Sequence, residues 1–117
     1  MKTIPIFKTL DADPVVKGLL SKRIYEDLAP EGTPTPYLVW QEISGSAENS
    51  LDCAANVDHI DFQVLIYDPY QITASDIRTE VCRVLEKYCV VHERLGHYES
   101  ATKLYARGFQ AAKWLER

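Results

Sequence analysis

The clearest alternation in the chain lies in "VDHIDFQVLIYD", Val57 to Asp68, where Ile60, Phe62, Val64 and Ile66 interleave with His59, Asp61, Gln63, Leu65 and Tyr67. A period of two sends the first set to one side of a strand, predicted to point inward, and Pro69 stops it. A second strand is predicted for "YLVWQEIS", with Tyr37, Val39, Gln41 and Ile43 on one face and Leu38, Trp40, Glu42 and Ser44 on the other. Pro34 and Pro36 cannot donate ladder hydrogen bonds, so they fix where this strand begins and are expected to hold its approach extended.

The period changes to that of a helix after Pro69. Ile77, Val81, Val84, Leu85 and Tyr88 form one apolar stripe, with Arg78, Thr79, Arg83, Glu86 and Lys87 elsewhere around the axis. A helix from about Ala74 to Val91 follows, with Thr73 or Ser75 as N-cap and Asp76 and Glu80 in its first turns. Nearer the N-terminus, Asp13 followed by Pro14 opens a short helix to about Lys22, carrying Val15, Val16, Leu19 and Leu20. Ile6 to Leu10 is a candidate helical turn, and "RIYEDLAP" a candidate brief extended segment before the turn chemistry of "PEGTPTP". Gly96 and "GHYESATK" read as a turn region. "LYARGFQAAKWL" reads as a closing strand with Tyr105, Phe109 and Leu115 on one side and Trp114 on the other, although Ala111 and Ala112 leave a helical alternative open.

The order helix, short strand, strand, strand, helix, strand predicts an α+β fold, a mostly antiparallel sheet of about four strands with helices packed on one face, in a single domain spanning residues 1–117. Two strands are apolar on both sides: Leu38 and Trp40 oppose Val39 and Ile43, and Leu65 and Tyr67 oppose Val64 and Ile66. One-sided helix cover leaves no second layer for all of these, so some are expected to meet a neighbouring subunit. The candidates are Leu38, Trp40, Leu65 and Tyr67. The segment "GSAENSLDCAAN" lacks periodicity and is predicted to be a polar loop, Ser46 to Asn56, long enough to have a contact of its own to make.

Composition narrows the function classes. With 46% hydrophobic and 26% charged residues among 117, the chain is expected to bury a core. Its net charge of -4 argues against a domain that binds by neutralising nucleic-acid phosphates, and sequence-specific nucleic-acid binding is not expected. Pro5, Lys8 and Asp11 interrupt the apolar core that a secretory signal needs, and no run has the length of a membrane span, so the expectation is a chain soluble and intracellular when made, with no membrane partner. Cys53, Cys82 and Cys89 are odd in number and lack C-x-x-C spacing, and they read as reduced, small core residues.

Candidate chemistry is sparse. His92 and His97 in "HERLGH" are five apart, about 140° around a helix axis, and do not form the H-E-x-x-H zinc motif; they read as solvent-facing residues near a helix C-terminus. His59 and Asp61 share a strand face and read as a surface pair, with no third metal ligand at a usable spacing. "SGS" at Ser44 to Ser46 lacks the second glycine of a nucleophile elbow, and no phosphate-binding glycine motif is present. Asp68, Asp76 and Glu80 read as capping and dipole partners. No catalytic residue, cofactor or metal site is expected.

Several segments carry a family likeness. "PIFKTLDADPVVKGLLSKRIYEDLAPEGTPTPYLVWQEISGS" resembles the opening of the tail completion or tail terminator proteins of long-tailed bacteriophages, with Asp13-Pro14, Arg23-Ile24-Tyr25, Ala29-Pro30, Gly32, Pro36-Tyr37, Trp40-Gln41 and Ser44-Gly45 at matching spacings. "DFQVLIYDPY", "IRTEVCRVLEKY" and "LYARGFQAAKWLER" are similar to the central strand, long helix and closing strand of that family, apart from alanines in place of branched residues near the end. The resemblance implies a non-enzymatic virion protein: a ring, commonly hexameric, at the head-proximal end of the tail tube, ending polymerisation and presenting the surface that joins the head connector. Its implied partners are sister copies, the tail tube protein and a connector or neck protein, with the genome passing through the ring and assembly in the host cytoplasm. Glu48, Asn49, Ser50, Leu51 and Asp52 of the polar loop then join the four sheet residues as candidate subunit or tube contacts. A head-to-tail neck adaptor is the alternative reading, and a small enzyme the third.

Overall fold

The computed structural model describes the backbone at residues 4–50 and 53–116. Three helices, α1 (Ile6–Asp11), α2 (Pro14–Leu20) and α3 (Gln71–Leu85), accompany five strands: β1 (Ile24–Glu26), β2 (Tyr37–Ser50), β3 (Cys53–Asp68), β4 (Val90–Glu99) and β5 (Leu104–Glu116). The sheet order is β1-β2-β3-β5-β4. β1 runs parallel to β2 and the remaining neighbours are antiparallel, so the sheet is mixed and has one strand more than the expected four.

α2 begins as its sequence predicts. Asp13 is the N-cap, accepting from the backbone N–H groups of Val15 and Val16 at 3.0 and 3.1 Å, with Pro14 at the first helical position. The helix ends at Leu20 because Ser21 and Lys22 both take the left-handed conformation. β1 is then tied to β2 by the Arg23 Nε–H, which donates to the Pro36 carbonyl at 2.7 Å, and by the Leu38 N–H, which donates to the Arg23 carbonyl. The approach to β2 is not extended as expected: it turns at Glu31 and Gly32, bends at Thr35 and Pro36, and contains a cis Thr35–Pro36 peptide.

β2 and β3 form one long hairpin. The predicted loop from Ser46 to Asn56 is strand on both sides, with Ser46 opposite His59, Glu48 opposite Val57 and Ser50 opposite Cys53. Apolar alternation was the wrong guide there, because backbone pairing continues past the last core residue of each strand. Leu51 and Asp52 lie outside the described residues.

α3 covers the sheet over β3 and β5, and α1 and α2 pack on α3 and on each other. Its start is set from outside the helix: the Tyr70 N–H donates to Asp68 Oδ2 at 2.9 Å, while Thr73 and Ser75, the expected caps, lie within the helix. Ile77, Val81, Val84 and Leu85 are buried as the stripe requires, but the helix ends six residues before Val91, and Tyr88 is exposed. β4 follows, where the sequence reading had placed a helix end and a turn. β3 and β4 are both antiparallel to β5, so α3 serves as a crossover between parallel strands with β5 inserted between them.

The core lies between the helices and one sheet face. Ile60, Phe62, Val64 and Ile66 of β3, Phe109 and Ala111 of β5, and Leu38 and Trp40 of β2 meet Leu10, Val16, Leu20 and the α3 stripe there. Gly108 permits close approach of β5 to β3, since a Cβ at this position would lie 1.7 Å from the Val64 carbonyl oxygen.

Candidate assembly surfaces

The face of the sheet away from the helices follows from the pairing register. Tyr37 opposes Tyr67, Val39 opposes Leu65 and Gln41 opposes Gln63, and none of these six is fully buried. Their neighbours on β5 are small, with Ala106 beside Tyr67 and Gly108 beside Leu65, so the larger side chains of β2 and β3 stand over a low strand. Together with Asp27, Leu28, Ala29 and Glu99 they line a groove of about 240 Å³. The rings of Tyr37 and Tyr67 stack with centroids 5.2 Å apart. Burial, and then the negative charge of Glu99, push both phenol pKa values upward, so the groove presents neutral hydroxyls and apolar ring faces.

This geometry separates the interface candidates. Leu65 and Tyr67 are partly exposed on the open face, whereas Leu38 and Trp40 are 0% and 6% exposed and belong to the protomer's own core, so as exposed contacts for a neighbour they are corrected. Both sides of β2 are apolar, so its own pattern does not say which side points inward; pairing with β3 decides it, because Leu38 opposes Ile66 and Trp40 opposes Val64. Glu48, Asn49 and Ser50 lie near the far end of β2, where Glu48 pairs with Val57 and Ser50 with Cys53 across a register shift at Asn49.

Further along the open face, Asp61 lies between two histidines. Its Oδ1 is 3.5 Å from His59 Nε2 and 3.7 Å from His92 Nε2, and its Oδ2 accepts from Ser44 Oγ at 3.2 Å. The His59 ring stacks on Trp114 at 4.7 Å. The expected His59–Asp61 pair is present, and His92 reaches it because β4 is a strand and not the end of a helix. Among the described residues no group of three His, Cys, Asp or Glu side chains is placed to hold a metal ion.

Both sheet edges are open along much of their length. β1 pairs with β2 only at Leu38, Val39 and Trp40, so among the described residues the outer edge of β2 from Gln41 onward has no pairing strand. β4 forms the other edge, and its residues are mostly exposed on both faces, Val90 and Tyr98 among them. A charge-rich sequence, "VVHERLGHYE", is a usual way of guarding such an edge, and it also hides the strand from a search for alternation.

A second groove, of about 540 Å³, opens on the helix side where α3 stops short of β4; Arg78, Cys82, Arg83 and Glu86 form its helical wall, Arg94 its other wall, and Phe109 also lines it. Arg83 is neutralised by Asp13 and Glu80, whose carboxylates it meets at 3.1 and 2.9 Å. No sequence pattern pointed to this groove, since its arginines come from separate elements. No helix among the described residues is long and apolar enough to cross a membrane.

An open, partly apolar sheet face and two unpaired edges are features of an assembling subunit. The sequence profile of the family described as Tail completion protein gp17 matches residues 4–97, and the chain belongs to that family. It is a structural tail protein of the bacteriophage type, and the family is not one of enzymes. Among solved structures, a chain from the virion of a native gene transfer agent particle has a similar fold, with a TM-score of 0.70 at 14% identity, covering 96% of this chain and 92% of that one. No curated protein shows significant similarity to the chain.

Proposed function

We propose that copies of this chain close into a ring, hexameric as the resemblance implies, on the head-proximal end of the tail tube. The ring ends tube growth and offers its other side to a connector or neck protein, and the subunit has no catalytic step, metal or cofactor. The membership of residues 4–97 in the tail completion family carries this reading. The open edges of β2 and β4 favour it too: they lie at opposite ends of the sheet, and unlike surfaces joined head to tail are what a closed ring needs. Leu65 and Tyr67 serve as seat for a neighbour or the tube, and the segment Glu48 to Asp52 contacts the tube or connector. In the virion the protein then sits at one place per tail, whatever the tail length.

The test combines a native mass measurement on the purified protein with location of a tagged copy on particles by electron microscopy. One ring of six at the head-proximal tail end is expected. Label elsewhere along the tail would sink the reading, and label on the connector side alone would favour the neck-adaptor alternative. Deleting Glu48 to Asp52 is expected to leave the fold intact and to spoil tail capping.

A further inference from the structure

The helix-side groove holds positive charge that its own protomer does not neutralise. The Arg78 Nη1–H donates to the Leu95 carbonyl at 3.3 Å, and the Arg107 Nη1–H donates to the carbonyls of Ala106 at 2.9 Å and His97 at 3.2 Å. The Arg94 side chain makes no hydrogen bond or ion pair with any described residue. Glu86, the carboxylate in the groove lining, accepts from the Cys82 thiol at 3.2 Å and forms no ion pair with these arginines. Burial, and then repulsion from Arg94 and Arg107, lower the Arg78 pKa, so the three guanidinium groups act on one another. In a chain of net charge -4, such a cluster calls for an acidic counterpart.

The same chain carries that counterpart at the opposite edge of the sheet. Glu26 pairs in register with Trp40, and Glu42 lies two residues beyond it, so both stand on the helix side, where they flank a small cleft with Ile4 and Trp40. Both are exposed, and neither has an ion-pair partner among the described residues. The basic and acidic patches therefore occupy the same layer at opposite ends of one sheet. Copies set side by side and facing the same way would bring one patch to the other.

We propose that the groove lined by Arg78 and Arg94 of one copy, with Arg107 close enough to act on Arg78, receives the Glu26 and Glu42 edge of the next. This inference rests on the ring reading and names the contact that sets its direction. A head-to-tail contact is heterologous, so the two patches need to be unlike, and charge complementarity of this kind sets orientation and encounter rate more than total affinity. Tyr98, half exposed on β4 and packed on Tyr105 beneath Arg107, would add apolar burial beside the basic patch.

The experiment is sedimentation velocity on the full chain at 50 and 500 mM salt, comparing wild type, Arg94→Glu, Glu42→Arg and the double swap, each checked for fold by circular dichroism. Each single reversal is expected to raise the concentration for half-assembly about tenfold or more at low salt, with a smaller effect at high salt, and the double swap to regain assembly. Arg94→Gln and Glu42→Gln, which remove charge without reversing it, are expected to give smaller shifts in the same direction and stand in should a reversal unfold. Single variants that assemble like wild type, or a double swap that stays dissociated, overturn this contact while leaving the ring. A wild type that is monomeric at every concentration and salt overturns both. Loss of duplex-oligonucleotide binding in Arg94→Glu with assembly unchanged would make the groove a phosphate site and overturn the contact as well.

Discussion

Replacing Gly108 with alanine tests how closely β5 and β3 must approach. The added Cβ would sit 1.7 Å from the Val64 carbonyl oxygen, 2.7 Å from its carbon and 2.9 Å from the Leu65 Cα, against an ordinary contact distance of at least 3.4 Å. All three atoms belong to the backbone of a central strand, so no side chain can rotate away. Relief requires β5 to move off β3, which strains or breaks ladder hydrogen bonds on both sides of the pair. Overpacking costs about 1–3 kcal/mol, and each buried backbone group left unpaired costs about 1–3 kcal/mol more, so a loss of about 3 kcal/mol or greater is expected. With an unfolding entropy of about 2.1 cal/mol/K per residue, a chain of this length should lose on the order of 12 °C in Tm. The assay is a thermal melt followed by circular dichroism. Gly96→Ala is the control, because its Cβ would meet the Arg107 side chain at 3.2 Å, a flexible group that can withdraw, and it should melt close to wild type. A Gly108→Ala protein melting within about 2 °C of wild type would refute the close-approach argument, since the clash predicts a loss several times larger.

Two further outcomes concern titration. The Asp13 carboxyl pKa is lowered, first by the N–H of Val16 and also by Arg83, so it contributes stability at neutral pH that is lost as pH falls below its unfolded value near 3.8 and through the folded one. Asp13→Asn should therefore remove part of the acid dependence of Tm below about pH 5, and an unchanged acid limb would count against this role. Burial and the hydrogen bond to Glu86 push the Cys82 thiol up to about 11, and burial raises that of Cys89, so in a Cys53→Ser variant both should react slowly with maleimide at pH 8 until denaturant is added. Rapid labelling of the folded protein would contradict that.

How far residues foretell this structure depends on whether the information is local. The inward set of β3, the Asp13-Pro14 start of α2 and the Ile77 to Leu85 stripe of α3 were all legible, because capping chemistry and one-sided burial leave a periodic mark on neighbouring residues. β4 left no such mark: an edge strand exposed on both faces has nothing to alternate, and its charges read as a turn. The length of the β2–β3 hairpin was equally hidden, since backbone pairing beyond the core asks nothing of side-chain hydrophobicity. Leu38 and Trp40 were singled out correctly as unusual but sent to the wrong side, for a strand apolar on both faces takes its orientation from its partner. The open-face groove was half visible in Leu65 and Tyr67, whereas Leu28 and Glu99 reach it from distant elements. Grouping Arg78, Arg94 and Arg107 requires a helix, an edge strand and its neighbour to converge, and convergence of that kind is set by the sheet order, which no stretch of chain encodes alone.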